Sequence, residues 1–282
     1  MLSNILPFFI LLPFIFCYNE SLAREGWYYS SVGNCISDRI KSWDVAEISL
    51  IYPNVLNITL CQGYIGQNLA IVGYNKDTNL IFVTVRGTVN VENSIEGAIA
   101  FRGKYYKCDE CYVHVGFLQA FNFLKDQIVL NFIQLKKEYP NARTLVSGHS
   151  LGAAISNFVL DELFDRLGHI DLFYTYGCPR VGNDAWVKYF DEKFKNVEKA
   201  RITHYKDVVP HLAPTFTGYF HTSGEIYYNH DSSNFTKCFD DDEKNNCANQ
   251  YSFIEALISL SQEDNHDNYM GFDKKVFQGT CQ

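Results

Sequence analysis

A glycine-flanked serine between two periodic segments is the feature that most restricts the fold of this chain. An apolar, β-branched run at residues 144–146 leads directly into the pentapeptide Gly-His-Ser-Leu-Gly at 148–152. A helical pattern then extends from about Ala153 to Leu167. Glycines two positions before and after a serine let a strand and a helix approach closely around a sharp turn. The pattern predicts a strand–turn–helix unit, either an ordinary connection or a turn that presents a nucleophilic hydroxyl.

Several further strands and helices alternate along the chain, which indicates the α/β class. Such alternation predicts a mostly parallel central sheet with helices on both faces. The 282 residues include 22 Phe, 19 Tyr and 3 Trp, enough to bury a large core. The net charge is −8, and the sequence contains no run of basic residues. Neither nucleic acid nor an anionic membrane surface is expected as a partner, because both are bound through clustered Lys and Arg.

The N-terminus predicts export. Residues 2–16 are almost wholly apolar but fall short of the roughly 20 residues that a membrane-spanning helix needs. Small residues at Ser21 and Ala23 predict cleavage after Ala23, so residues 1–23 form a secretory signal peptide and 24–282 a single domain. No Lys or Arg precedes the apolar run, and an uncleaved anchor is the alternative. We expect a secreted protein, or one in the lumen of the secretory or lysosomal route.

Cysteine usage agrees with export. Nine cysteines occur, and loss of the leader leaves eight, an even number typical of disulfide-bonded exported proteins. Cys108 and Cys111 are expected to form a local disulfide, because no second Cys pair or His pair accompanies them to bind zinc. Sequons at Asn19, Asn57 and Asn234 permit glycosylation.

An acidic segment near the C-terminus is expected to be a surface loop. Residues 232–249 are polar and contain the run Asp-Asp-Asp-Glu at 240–243. The run lacks the glycine and the distant glutamate of a calcium loop, so solvation is favoured over metal binding.

A nucleophilic serine needs a carboxylate and a histidine, and where the serine lies on a strand–turn–helix unit they follow it in this order. Asp207 is the favoured carboxylate, because it lies just beyond a predicted strand at residues 200–205. Enzymes built on parallel sheets gather their functional groups at such strand ends. Asp161 and Asp165 lie within the helix after the serine, and Asp184 is expected to cap another helix.

Four downstream histidines are candidates for the base. His266 is favoured because it lies in a polar loop near the end of the chain, and His230 is the alternative. His211 is too close in sequence to the aspartate to reach the serine, and His221 begins a predicted edge strand. His149 is expected to pack under the serine turn.

Two N–H groups must bind the oxygen that becomes negatively charged during ester cleavage. Leu151, the residue after the serine at the approach to the predicted helix, is expected to supply one. Thr88 follows the predicted strand at residues 80–85 and can supply the other, with its hydroxyl as reinforcement. The alternative is that Gly87 and Thr88 form only a turn.

Taken together, these residues resemble the class 3 lipases, a family whose best-studied members are secreted fungal triacylglycerol lipases and feruloyl esterases. The resemblance extends over roughly residues 69–271, and its segments are 85–88, 113–117, 148–154, 177–183, 204–210 and His266 with Tyr269 and Gly271. It implies an α/β-hydrolase fold and a catalytic triad of Ser150, Asp207 and His266. An oxyanion hole formed by Thr88 and Leu151 is implied as well.

The resemblance also implies three disulfides and a short helical lid. The disulfides are Cys35–Cys281, Cys108–Cys111 and Cys238–Cys247, and we infer that the remaining Cys61 pairs with Cys178. Cys178 departs from the small or polar residue that the family often carries there, and the loop at 232–249 is longer and more acidic than usual. The lid lies between Val89 and about Lys104.

An apolar stripe within this lid bears on the substrate. It consists of Val91, Ile95, Ala98 and Ile99. An open lid would offer the stripe to a lipid surface, as amphipathic helices do at interfaces. The alternative is that the stripe only packs in the core.

We therefore expect a secreted serine hydrolase that cleaves carboxylic esters of lipids, with triacylglycerols as the first candidate substrate, at a lipid–water interface. A phospholipase A1, a feruloyl-type esterase and a non-catalytic lipid-binding protein of the same fold are the alternatives. No metal, organic cofactor or stable protein partner is implied.

Overall fold

A computed structural model describes residues 18–63, 68–87, 101–238, 247–260 and 265–282. Its strands are β1 (Val55–Gln62), β2 (Leu69–Asn75), β3 (Leu80–Val85), β4 (Arg102–Lys104), β5 (Tyr112–His114), β6 (Arg143–His149), β7 (Leu172–Tyr176), β8 (Glu198–His204), β9 (Glu225–Tyr228), β10 (Phe235–Lys237), β11 (Asn268–Tyr269) and β12 (Phe272–Asp273). Its α-helices are α1 (Glu20–Ser31), α2 (Ser37–Lys41), α3 (Ala46–Ile51), α4 (Val115–Glu138), α5 (Leu151–Leu167), α6 (Asp184–Lys193), α7 (Phe253–Leu260) and α8 (Lys274–Gln278).

The central sheet has the strand order β1-β2-β3-β6-β7-β8-β9-β10. Strands β3, β6, β7, β8 and β9 run parallel, and antiparallel strands flank them on both sides. Two β-branched runs at residues 69–74 and 80–85, joined by a polar segment, predict a hairpin, and the antiparallel pairing of β2 with β3 confirms it. The expectation that His221 begins an edge strand is wrong. The strand β9 starts only at Glu225, and β10 pairs with it on its outer side.

Two hydrophobic cores lie on the opposite faces of this sheet. In β3, Ile81 and Val83 pack into the core shared with α4, α5 and α6. Their neighbours Leu80 and Phe82 pack into the core shared with α1, α2, α3 and α8. Successive side chains of a strand point to opposite faces, so a strand covered on both sides is apolar throughout. The expected α/β architecture is confirmed.

The apolar spacing from Cys35 to Ile51 predicts one helix, and this prediction is wrong. The chain forms α2 and α3 there, with positive φ at Trp43 in the connection and at Ala46, the first residue of α3. Trp43 is buried, and its indole N–H donates a 2.7 Å hydrogen bond to the carbonyl of Tyr52. Burial of this ring requires a reversal that a continuous helix would not allow. The elements that the sequence patterns did not predict are α1, α7, α8, β1, β4, β5, β10, β11 and β12.

Helix α1 contains the predicted signal cleavage point. Asn19 caps the helix, and Ala23 within it is buried and accepts a hydrogen bond from the Tyr176 hydroxyl. Cleavage after Ala23 would divide α1, whereas cleavage before Asn19 would leave it whole. The leader and its boundary stay predictions. None of the helices in the described ranges combines the length and apolar character needed to cross a bilayer.

Three of the four expected disulfides are present. They join Cys35 to Cys281, Cys108 to Cys111 and Cys238 to Cys247. The pairing of Cys61 with Cys178 is wrong, since both are buried free thiols. Cys61 lies in β1 and Cys178 just beyond β7, four strand positions away, or roughly 19 Å at the usual strand spacing. A disulfide needs Cα atoms within about 7 Å of each other.

The acidic run at 240–243 and most of the Cys238–Cys247 loop lie outside the described residues. Asn57 and Asn234 are exposed, and Asn19 serves as the N-cap of α1. Glycosylation at these sequons stays a prediction.

Candidate active site

Ser150 lies in the turn between β6 and α5, where its backbone has φ 59° and ψ −130°. Such a conformation is costly for a residue with a side chain, on the order of 1–3 kcal/mol, and is kept only where the surroundings impose it. Its N–H donates a 2.9 Å hydrogen bond to the carbonyl of Tyr176 in the neighbouring strand. The turn is thereby fixed to the sheet.

The flanking glycines are required by close backbone contacts. A Cβ on Gly148 would lie 2.5 Å from the carbonyl oxygen of Gly152, and a Cβ on Gly152 would lie 2.0 Å from that of Val85. Both distances are far below van der Waals contact. The spacing seen in the sequence therefore reflects the approach of α5 to β6 and β3.

Gly87 brings the chain leading to Thr88 next to the serine. A Cβ on Gly87 would lie 2.9 Å from the Cβ of Ser150. Leu151 is the first residue of α5, so its N–H has no acceptor within the helix. Thr88 and the lid residues Val91, Ile95, Ala98 and Ile99 lie outside the described residues, and their roles stay predictions.

Asp207 and His266 form a buried pair. The imidazole Nδ1 lies 2.9 Å and 3.0 Å from the two carboxylate oxygens. The carboxylate also accepts a 2.5 Å hydrogen bond from the Tyr269 hydroxyl and a 2.9 Å bond from the N–H of Val209. A carboxylate is only an acceptor, so Nδ1 carries a proton and Nε2 of the neutral ring is free to accept one.

The surroundings of His266 favour its protonated form. Burial alone would lower the pKa of its imidazole, but attraction and hydrogen bonding to Asp207 outweigh burial and raise the pKa above its usual value. His266 Nε2 and Ser150 Oγ are both buried, and neither has a hydrogen-bond partner among the described residues. Buried polar atoms normally have partners, so these two are available to each other or to a ligand.

The serine and the carboxylate lie at the carboxyl ends of two strands that flank β7, and the imidazole lies against the chain that leaves β7. Ser150 follows β6 and Asp207 follows β8, while Gly177 follows β7 between them. A Cβ on Gly177 would lie 2.8 Å from Asp207 Oδ2 and 2.9 Å from His266 Cε1. The ring of His149, next to the serine, lies 4.4 Å from that of His266 between centroids. The structure thus brings these three sequence-predicted residues into one region.

The other candidate histidines lie elsewhere. His230 is exposed and packs edge-on against Tyr205, and His221 Nε2 lies 2.7 Å from the carbonyl of Pro210. His211 is buried in a short turn that follows β8, and its carbonyl accepts a hydrogen bond from Arg180. His149 packs beneath the turn as expected, against Trp27.

The alternative aspartates have structural partners. Asp161 is buried and accepts hydrogen bonds from Tyr105, Tyr189 and Lys193. Asp165 forms ion pairs with Lys193 and Lys107. Asp184 does not cap its helix: Asn183 does, by accepting from the N–H of Trp186, and Asp184 pairs with Lys188 instead.

Sequence reasoning assigned no role to Tyr269, Asp267 or Lys274, all of which are buried beside His266 or its partners. The position of Tyr269, three residues after His266, was a signal that both side chains could turn toward one carboxylate. Lys274 gave no such signal. No group of three or more His, Cys, Asp or Glu side chains arranged to hold a metal occurs in the described ranges.

Comparison with known proteins supports the family assignment. Residues 82–217 match the family model for lipase (class 3). The chain is 29% identical over 210 residues to a lipase from Rhizomucor miehei, covering 72% of this chain and 55% of that protein. It is 37% identical over 150 residues to the secreted mono- and diacylglycerol lipase 1 of Fusarium solani, covering 52% and 43%. The chain thus spans about half the length of the curated relatives it matches.

Solved structures show the same fold. Lipase II from Rhizopus niveus superposes with a TM-score of 0.80 at 22% identity, covering 91% of this chain and 97% of that one. A triacylglycerol lipase described as having a serine protease triad as its catalytic centre gives 0.78 at 24% identity, covering 92% and 98%. With these matches, residues 82–217 belong to the class 3 lipase family, and the chain has the α/β-hydrolase fold.

Proposed function

We propose that this protein is a serine hydrolase that cleaves carboxylic esters of lipids, with Ser150, His266 and Asp207 as its catalytic triad. The observation that carries the proposal is the orientation of the buried pair. Asp207 holds Nδ1 of His266, which leaves Nε2 as the basic atom. In the same region lies the Ser150 hydroxyl, which has no hydrogen-bond partner in the part of the chain that the structure describes. This division of roles is the one that nucleophilic serine catalysis needs.

The reaction begins with attack of Ser150 Oγ on the ester carbonyl carbon while His266 Nε2 takes the hydroxyl proton. The carbonyl oxygen becomes negatively charged and is stabilised by the N–H groups of Leu151 and Thr88. The bond to the alcohol then breaks as the imidazolium returns its proton to the leaving oxygen. Water, deprotonated by His266, attacks the resulting acyl-enzyme and releases the fatty acid and the free serine.

Lipid esters are favoured as substrates for two reasons. The relatives in Rhizomucor miehei and Fusarium solani are named as lipases, the second for mono- and diacylglycerols. The stripe of Val91, Ile95, Ala98 and Ile99 also suits a lid that docks on a lipid–water interface. Triacylglycerols are the first candidate, and mono- and diacylglycerols are the nearest alternative.

Secretion is part of the proposal. The Fusarium relative is named as secreted, and three disulfides are typical of a protein folded in an oxidising compartment.

A pair of serine variants tests the catalytic assignment. Ser150→Ala should abolish p-nitrophenyl ester hydrolysis and labelling by a fluorophosphonate, with the thermal unfolding midpoint retained. The control is Ser147→Ala: its hydroxyl is also buried without a partner among the described residues, but it lies inside β6. Ser147→Ala should keep both activities. Near wild-type hydrolysis by Ser150→Ala would refute the assignment.

A substrate panel tests the lipid class. Rates on a tributyrin emulsion, phosphatidylcholine and methyl ferulate distinguish a lipase from a phospholipase A1 and a feruloyl-type esterase. We expect the highest rate on tributyrin, rising when the substrate exceeds its solubility. Lipid binding without labelling of the serine would instead indicate a non-catalytic lipid-binding protein.

A further inference from the structure

A buried lysine lies behind the proposed base. Lys274 begins α8 and is only 3% exposed. Its ammonium Nζ lies 3.1 Å from His149 Nδ1 and 3.3 Å from Asp267 Oδ1. Lysine is almost never fully buried unless it is paired, so these contacts explain how the charge is tolerated. The residue lies beyond the segments that carry the resemblance to class 3 lipases.

The lysine fixes the tautomer of His149. An ammonium group has only donors, so the nitrogen that faces it must be an acceptor without a proton. The proton of the neutral ring is then on Nε2, which donates a 2.8 Å hydrogen bond to the main-chain carbonyl of His266. Burial, together with the charge of Lys274, holds the pKa of His149 well below its usual value, so this ring stays neutral.

The same lysine closes the segment that carries the base. Its backbone N–H donates a 2.8 Å hydrogen bond to the carbonyl of Asp267. The hairpin of β11 and β12 lies between these two residues and presents Tyr269 to Asp207. The main chain on both sides of this hairpin is therefore tied to one buried ion pair.

The ion pair places two opposite charges near His266. Asp267 raises the pKa of the His266 imidazole and Lys274 lowers it, so the two partly cancel. The other titratable groups that face this ring are Asp207, bonded to Nδ1, and His149, whose tilted ring lies 4.4 Å away between centroids. Tyr269 acts through the shared carboxylate. Lys275 also approaches Asp267, at 3.7 Å.

We propose that Lys274 is a positioning residue for His266. Paired with Asp267 and acting through neutral His149, it holds the main chain of the base and offsets the negative charge of Asp267 beside the imidazole. The inference rests on the proposed function, because hydrolysis supplies one of its readouts. It assigns to the segment after the base a role in setting the pH range of activity.

Charge removal from either side of the pair tests the inference. Lys274→Met should move the acidic limb of the kcat/KM profile to higher pH, because Asp267 then acts on His266 without compensation. Asp267→Asn should move it to lower pH. Each shift should reach at least about half a pH unit, given the strength of charge interactions at short range in a partly screened interior. The double variant should return the limb close to the wild-type position.

The same variants separate positioning from substrate binding. Lys274→Met should lower kcat by roughly 10- to 100-fold, the range expected for small displacements of a catalytic group, with little change in KM. If this variant does not fold, two predictions remain: the acidic limb moves to lower pH in Asp267→Asn and lies close to its wild-type position in the charge-neutral double variant. The control is Lys107→Met, which removes another mostly buried lysine from an ion pair with Asp161, remote from His266. It should leave the limb unchanged.

An NMR titration of His266 in the Ser150→Ala background gives a readout that needs no activity. The imidazole should titrate at higher pH with Lys274→Met and at lower pH with Asp267→Asn. The inference would be overturned if neither the acidic limb of kcat/KM nor the pKa of His266 from NMR changed in the two single variants. It would also be overturned if both quantities moved in the same direction in Lys274→Met and Asp267→Asn. Loss of the proposed function itself would appear differently, as wild-type protein without serine-dependent hydrolysis.

Discussion

Removal of the Tyr269 hydroxyl should weaken both the fold and the catalytic pair. The side chain is fully buried, and its hydroxyl donates a 2.5 Å hydrogen bond to Asp207 Oδ2. A hydrogen bond to a charged group contributes about 1.5–3 kcal/mol to stability. Tyr269→Phe should therefore lower the unfolding midpoint by about 3–12 °C, at ~2–4 °C for each kcal/mol in a protein of this size.

The effect of Tyr269→Phe on catalysis depends on the hydrogen bonds that still hold the Asp207 carboxylate. If the whole bond were lost in the transition state, kcat would fall about 10- to 150-fold. Asp207 keeps its bonds from His266 and from the N–H of Val209, so we expect a fall near the lower end, roughly tenfold. Initial rates on a p-nitrophenyl ester and differential scanning fluorimetry on the same preparation give both quantities.

Tyr174→Phe is the matched control. Tyr174 is also fully buried, and its hydroxyl donates a hydrogen bond to the carboxylate of Glu198, away from the proposed site. This variant should lose a similar amount of stability and keep its kcat. If Tyr269→Phe matched wild type in both stability and kcat, the hydrogen bond to Asp207 would have no part in holding the base, and the reasoning would fail.

Three further predictions concern the pKa of His266, the buried carboxyl group of Glu25 and the disulfide between Cys35 and Cys281. The acidic limb of kcat/KM should lie above pH 6.5, since Asp207 raises the pKa of His266 and the base must be neutral; a limb well below this value would contradict the pairing. Burial raises the pKa of Glu25 despite its hydrogen bonds, so the contribution of Glu25 to stability should fall as pH rises from about 4.5 through the raised value; urea titrations of wild type and Glu25→Gln should show that their difference in unfolding free energy changes over this pH range. Replacing Cys35 and Cys281 by Ser should cost about 2–5 kcal/mol of unfolding free energy, and an unchanged urea midpoint would count against a stabilising disulfide.

Local pattern was a good guide wherever one segment encodes its own geometry. The glycine spacing around Ser150 reflects contacts within a strand–turn–helix unit. The 24 residues of α4 carry apolar side chains at helical spacing, a pattern that predicts a helix without knowledge of the rest of the fold. The alternation of strands and helices likewise predicted the layers of the sheet. The prediction of one helix from Cys35 to Ile51 failed because the chain turns at Trp43, whose side chain is buried, although the apolar spacing is helical.

The sequence by itself determined the α/β class and the strand–turn–helix unit around Ser150, because residue spacing and backbone sterics act over short distances. Only the tertiary structure separated His266 from His230, left Cys61 and Cys178 unpaired, and put Lys274 against His149. These outcomes depend on which distant segments meet across the sheet. A neighbour more than a hundred positions away leaves no trace in local periodicity, yet it sets the charge and hydrogen bonding around the proposed base.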